Sequence, residues 1–257
     1  MHLSFKTSLA ERYASPSQKI RVLTEHWVDN QVYCPSCGHA ELDKYGNNRP
    51  VADFFCSSCK EDYELKSKKE SIGKKIADGA FRTMIERLRE SHNPNLFILN
   101  YDLQNFNVQN LLVIPKHFFI PEIIEKRIPL ASTARRAGWV GCNILLNSIP
   151  TIGKIFLIKN RRAEPKNKVL SEWKKTLFLR EEKEFSAKGW LLDTMLCIDR
   201  LAMKKFTLND LYKFEKDLDK LHPNNKHIKD KIRQQLQILR DKGYLDFIAK
   251  GKYRLIN

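Results

Sequence analysis

Asp53, Glu64 and Lys66 are the residue types that hydrolyse phosphodiesters, and they fall within one short stretch of the chain. Residues 51–55 (VADFF) read as a short apolar, aromatic strand interrupted by Asp53. Residues 62–67 (DYELKS) alternate, so Glu64 and Lys66 point to one face while Tyr63 and Leu65 point to the other. Paired as a hairpin, the two segments bring Asp53 and Glu64 onto one divalent cation with Lys66 beside it. Hard carboxylate oxygens suit Mg²⁺. The metal polarises a phosphate and favours a bound hydroxide, while the ammonium positions or activates the attacking water and offsets developing charge. Leu65, between Glu64 and Lys66, completes the expected magnesium set of Asp53, Glu64 and Leu65. Taken alone, D-x10-E-x-K also describes a solvated strand face. Pro50 just before it, the aromatic flanks and the basic chain favour a site.

The connection between Asp53 and Glu64 carries a second pattern. Cys34-x2-Cys37-x18-Cys56-x2-Cys59 has the spacing of a four-thiolate zinc site. Each CxxC turn aims two sulfurs at one point, and two such turns close a tetrahedron. A redox CxxC needs only one pair. Four thiolates leave no coordination position for water, so the expected Zn²⁺ is structural. It pins the hairpin connection to Cys34 and Cys37 and so sets the register in which the carboxylates meet. Cys142 and Cys197 stand alone and read as small buried hydrophobes.

The chain of 257 residues carries 46 Lys and Arg against 30 Asp and Glu, a net charge of +16. Such a surface is either merely basic or made for a polyanion. Its distribution favours the polyanion: residues 184–225 hold seven basic and seven acidic side chains, whereas residues 226–257 hold nine and three. No apolar run is long enough to span a membrane, and the first ten residues lack a secretory apolar core, so a cytoplasmic protein without a membrane partner is expected.

Six stretches (VLTEHWV, YCPSCG, NNRPVADFFC, YELKSKK, TARRAGWVGCNI and HIKDKIRQQLQILRDK), spread over almost the whole chain from near Lys19, together resemble the DpnI-like methyl-directed restriction endonucleases. The resemblance implies an α/β fold: an N-terminal PD-(D/E)xK restriction-endonuclease-like domain with an inserted structural zinc site, followed by a C-terminal winged-helix domain. The expected division is residues 1–182 and 183–257. Asp53, Glu64 and Lys66 match the family's catalytic motif, and the four paired cysteines match its zinc ligands. Ala52 precedes Asp53, and the motif's proline lies at Pro50; that residue is structural, so the chemistry is untouched. The implied activity is Mg²⁺-dependent double-strand cleavage of DNA at GATC carrying N6-methyladenine, by a type II enzyme expected to act as a monomer.

The elements that must hold these residues are legible around them. Residues 17–30 have apolar residues at helical spacing, with Ser17 as N-cap; Glu25 on this helix faces either the metal or, more simply, solvent. Residues 72–89 read as a second helix, with Ile76, Ala80, Met84 and Leu88 every fourth position. Residues 96–101, 108–114 and 154–159 read as strands of an α/β core. Residues 129–143 read as a loop in which Arg135 and Arg136 suit phosphate contacts. Trp139 either stacks on a base or anchors the loop. After a charged linker or bridging helix over 161–184, helices are expected at 187–201, 208–221 (N-cap Thr207, with Asp210 at the third position) and 226–242, then two short strands around residues 249–252.

That arrangement is a winged helix. The third helix buries Ile228, Ile232, Leu236 and Leu239 and turns Lys229, Arg233, Gln234, Gln237 and Arg240 outward. On this fold it enters the major groove, where Arg and Lys pair with guanine edges and Gln suits adenine. Lys226 and His227 at its start, and Lys250, Lys252 and Arg254 on the wing, complete the expected DNA contacts. Apolar contact is expected to sense the methyl group. A protein-binding winged helix is the other use of the fold, and the local charge favours DNA. Against the nuclease stands a zinc-braced winged-helix regulator without catalysis, which the intact Asp–Glu–Lys trio disfavours. A repair nuclease or an enzyme blocked by methylation is opposed by the resemblance alone.

Overall fold

A computed structural model describes residues 1–46, 52–90 and 93–256. Two compact units emerge, residues 1–147 with 152–177, and residues 148–151 with 178–257. In the first unit, α1 (Pro16–Gln31) begins at Pro16, whose fixed φ suits the first helical position, so Ser15 rather than Ser17 holds the cap position. The turn-by-turn stripe Leu23, Trp27 and Val28 is buried, together with Thr24 and Glu25.

The hairpin forms as expected. After β1 (Asp43–Lys44) come β2 (Phe54–Phe55) and β3 (Asp62–Lys69), and β2 pairs antiparallel with β3 through Phe54–Tyr63 and Phe55–Asp62. Pro50 and Val51 lie outside the described residues. Residues 72–80, expected to be helical, are instead extended as β4 (Lys75–Ala80), and only α2 (Phe81–Arg89) is helix. A spacing of four fits both periods, since it is two turns of a strand's alternation as well as about one turn of a helix. Alternating burial of Ile76 and Asp78 shows which period won.

The remaining strands of this unit are β5 (Asn95–Asp102), β6 (Asn107–Ile114), β7 (Ile124–Lys126), β8 (Gly141–Leu145), β9 (Ile155–Lys159) and β10 (Arg162–Ala163), followed by α3 (Lys166–Thr176). The expected loop over 129–143 therefore ends at Val140, and Gly141 already belongs to a strand. Among the described residues, one sheet has the order β1-β2-β3-β5-β6-β9-β10, and a smaller one has the order β4-β8-β7. Among the described strands of these two sheets, only the β3–β5 pair is parallel. The central strand β5 is buried on both faces, which explains why LFILNY is apolar without alternation. Phe97, Leu99, Leu111, Leu157, Trp27, Val169 and Trp173 join in one core.

The second unit holds α4 (Phe185–Leu201), β11 (Lys205–Thr207), α5 (Leu208–Tyr212), α6 (Glu215–Leu221), α7 (Ile228–Asp241), β12 (Leu245–Ala249) and β13 (Lys252–Leu255). Thr207 caps α5 in a reciprocal box with Asp210, an arrangement worth about 1 kcal/mol. The helix expected over 208–221 breaks in two, because the bonds tighten at Phe214, whose N–H reaches back three residues to the Leu211 carbonyl at 3.0 Å. β11 was not expected. It pairs with β13, giving a sheet of order β11-β13-β12. Ile228, Ile232, Leu236 and Leu239 of α7 are all buried, each contributing roughly 1.5–3 kcal/mol to seating that helix.

Candidate active site and zinc site

The two CxxC turns are built alike. Cys34 N–H donates to the His39 carbonyl at 2.9 Å, and Gly38 N–H donates to the Cys34 carbonyl at 2.8 Å. In the second turn Cys56 N–H donates to the Glu61 carbonyl and Lys60 N–H to the Cys56 carbonyl, both at 2.9 Å. Gly38 and Lys60 thus occupy equivalent positions and share left-handed backbone, with φ of +81° and +61°. Glycine suits the first, where a Cβ would also press to 3.1 Å from Leu170 of α3. Lysine at the second bears the strain of a side chain in that region.

The turns bring the four sulfurs within 4.8 Å of one another, with Cys34 and Cys59 at 3.6 Å and Cys37 and Cys56 also at 3.6 Å. A disulfide needs about 2.0 Å between sulfurs. A tetrahedron with Zn–S near 2.3 Å has edges of about 3.8 Å, so the cluster is compatible with a structural zinc. Burial raises the Cys34 thiol and pushes Cys59 up to about 11. Thiolates there need a cation to hold them, and a soft divalent one fits the donor set. The Tyr63 hydroxyl lies 3.1 Å from Cys34 Sγ, and His39 N–H donates to Cys37 Sγ at 3.5 Å.

On the opposite face of β3 from Tyr63 stand Glu64 and Lys66. Asp53 lies just before β2, its N–H bonded to the Tyr63 carbonyl at 2.9 Å, and its Oδ2 accepts from Leu65 N–H at 2.7 Å. This seats the Asp53 carboxylate beside the Glu64-Leu65-Lys66 backbone. Lys66 Nζ lies 2.6 Å from Glu64 Oε1 and 2.6 Å from Asp78 Oδ1 of β4. Arg87 of α2 reaches Glu64 Oε2 at 4.0 Å. The sequence reading missed Asp78 and Arg87. The signal for Asp78 was present: an acid two residues from Ile76, on the apolar face of an alternating run.

Burial raises the Asp53 carboxyl above its ordinary value; the Leu65 N–H opposes this, neighbouring Glu25 adds to it, and Lys66 and Arg21 oppose it. Burial raises Glu64 as well, against Lys66 and with Asp78. For Lys66 burial works against the charge, but Glu64 and Asp78 outweigh it and hold the ammonium above its ordinary value. Burial thus works against the charged form of both carboxyls, the form in which each could serve an oxygen-seeking divalent cation. Leu65 has only its main-chain carbonyl to offer such an ion.

Glu25 does not face solvent. It is buried between Arg21 Nε at 2.5 Å and Lys44 Nζ at 2.8 Å. With Arg12, Tyr13, Gln18, His26 and others it lines a cleft of about 490 Å³.

The expected DNA contacts are placed as follows. Arg135 and Arg136 are exposed, and Trp139 is half-exposed, with the Arg136 guanidinium 4.7 Å from its ring centre and its ring packed over Gly141. In the second unit Lys226, His227, Lys229, Arg233, Gln234 and Gln237 are exposed at the start and along the outer face of α7, as are Lys250, Lys252 and Arg254 on the wing. Several are paired: Lys229 with Glu215 at 3.4 Å, Arg233 with Asp230 at 2.8 Å and Arg254 with Asp246 at 2.8 Å. Among the described residues no helix is long and apolar enough to cross a membrane.

Residues 1–182 match the family model described as DpnI, Dam-replacing family, and residues 186–255 match the model described as DpnI_C, Dam-replacing HTH domain.

Proposed function

The chain belongs to the DpnI, Dam-replacing family, and from that premise we propose a type II methyl-directed restriction endonuclease that cuts both strands of DNA at GATC carrying N6-methyladenine. The observation that carries the reading is local. In a member of this family, Asp53 is seated on the Leu65 N–H, between Glu64 and Lys66, whose side chains are in contact.

In this reading residues 1–182 are a PD-(D/E)xK nuclease domain and residues 183–257 a winged helix that reads DNA. Asp53, Glu64 and the Leu65 carbonyl hold magnesium, which when bound supplies a Lewis acid for the phosphate and a more acidic water. Lys66 presents its ammonium to the attacking water and to the charge that develops on the phosphate. The Leu65 N–H keeps Asp53 oriented, and β2–β3 pairing keeps Asp53 and Glu64 in register. Zinc on Cys34, Cys37, Cys56 and Cys59 is structural and braces the hairpin connection.

The outer face of α7 (Lys229, Arg233, Gln234, Gln237), preceded by Lys226 and His227, enters the major groove. Lys250, Lys252 and Arg254 hold phosphates from the wing. Arg135, Arg136 and Trp139 contact DNA from the nuclease domain. The enzyme acts as a monomer in the cytoplasm.

The test is a digest with Mg²⁺ of one plasmid prepared with and without adenine methylation at GATC. Cutting of the methylated form alone is expected. Cutting of both forms, or of the unmethylated form alone, would keep the nuclease and remove the methyl dependence. No cutting of either, with DNA binding intact, would leave a zinc-braced DNA-binding regulator.

A further inference from the structure

We infer that Asp78 is a positioning residue for this chemistry, one that holds the Lys66 ammonium in place from the small sheet; the inference rests on the nuclease reading above. Lys66 ends in a compact charge on a flexible four-carbon stem, with three N–H donors and no acceptor. Left to Glu64 alone, that charge would follow the Glu64 side chain wherever it turned. Glu64 is also the carboxylate that must serve a divalent cation.

Asp78 supplies the second anchor. Its Oδ1 lies 2.6 Å from Lys66 Nζ, matching the 2.6 Å of the Glu64 contact, and its side chain is only 2% exposed. The backbone aims it there. β4 pairs with β8 through Asp78–Cys142, and the register then slips before Ala80–Gly141. This bulge falls at Gly79, after Asp78, so Asp78 keeps the inward face that strand alternation gives it together with Ile76. Cys142 Sγ donates to the Gly79 carbonyl at 3.5 Å, at the bulged residue itself.

A buried carboxylate is costly without a partner, and Lys66 is the cation against it. Two of the three Lys66 donors are thereby committed. The third is left for the reacting phosphate or water, the Lys66 side chain being 24% exposed. Holding a catalytic charge to within about 0.5 Å is what such support contributes.

The test compares wild type with Asp78→Asn. Loss of a supporting partner of this kind costs about 10–100-fold, so kcat on methylated DNA should fall by about that factor. KM, and affinity for the same DNA in Ca²⁺, should stay unchanged. A second readout needs no divalent metal: in a thermal-stability cycle of Asp78→Asn with Lys66→Met, the paired variant should lose less than the sum of the single losses. Unchanged kcat, a loss confined to KM, or additive stability losses would each overturn the assignment. Should Asp78→Asn fail to fold, Asp78→Glu decides: the longer side chain displaces the ammonium and lowers kcat at constant KM, and an unaltered kcat would overturn the inference. A wild type that cuts neither form of the plasmid would remove the nuclease reading and this inference together. A wild type that cuts, matched by Asp78→Asn, would remove this inference alone.

Discussion

The Tyr63 hydroxyl lies 3.1 Å from the Cys34 sulfur, and Tyr63 is the residue immediately before Glu64 on β3. Strand alternation sends Tyr63 into the core, where its ring stacks on Phe97 at 4.7 Å, and sends Glu64 to the other face. One strand therefore links the cysteine cluster to the carboxylates, and the position of Glu64 depends on how firmly its neighbour is held.

Tyr63→Phe keeps the ring and its stacking and removes only the hydroxyl. A zinc-bound thiolate at Cys34 would accept from that hydroxyl, and losing such a partner weakens metal binding by about 10–100-fold. Competition with a chromogenic chelator should show zinc released at correspondingly lower chelator concentration. An unchanged competition curve would separate the tyrosine from the metal.

Cys56→Ser removes one of four proposed ligands. Zinc content by elemental analysis and thermal stability should fall together, the latter by on the order of 10 °C. Treating wild type with a strong chelator should reproduce the stability loss. Full zinc stoichiometry in the variant would contradict the ligand set.

Glu64→Ala should abolish cleavage and leave binding of methylated DNA in Ca²⁺ intact. A variant that cuts at the wild-type rate would remove Glu64 from the site.

Asp53→Asn tests the electrostatics without any metal. Because burial raises the Asp53 carboxyl in the folded state, the folded chain holds that proton more tightly than the unfolded one. The charged Asp53 therefore costs stability at pH above the raised value, and the cost disappears once the pH falls below the ordinary 3.8. In metal-free buffer Asp53→Asn should melt higher than wild type at neutral pH, and the gap should close as the pH falls through the carboxylate range. A variant less stable than wild type at neutral pH would show that the charge is already compensated.

The second unit is tested by contrasting two exposed residues. Lys250→Ala on the wing should weaken binding to all sequences alike and reduce the salt dependence by about one counterion. Gln237→Ala on α7 should leave the salt dependence alone and cost about 1–3 kcal/mol against the specific site. Titrations of specific and scrambled duplexes at several salt concentrations distinguish these outcomes. Identical behaviour of the two variants would contradict the assigned roles.

What the amino-acid order determines here is whatever depends on neighbours close along the chain. The CxxC turns are local, so four cysteines at that spacing announce a cluster. Alternation in 62–67 announces β3 and separates Tyr63 from Glu64; the stripe of Ile228, Ile232, Leu236 and Leu239 announces α7; Thr207 and Asp210 announce their cap. Tertiary structure decided the rest. Residues 75–80 became a strand because β8, more than sixty residues away, completes its ladder, a partner that a four-residue spacing cannot reveal. Glu25 is buried because Lys44 arrives from another segment, and β11 exists because β13 returns beside it. Asp78 meets Lys66 only after the small sheet is built. Charge neutralisation and strand pairing act between groups close in space, and only the folded chain says which groups those are.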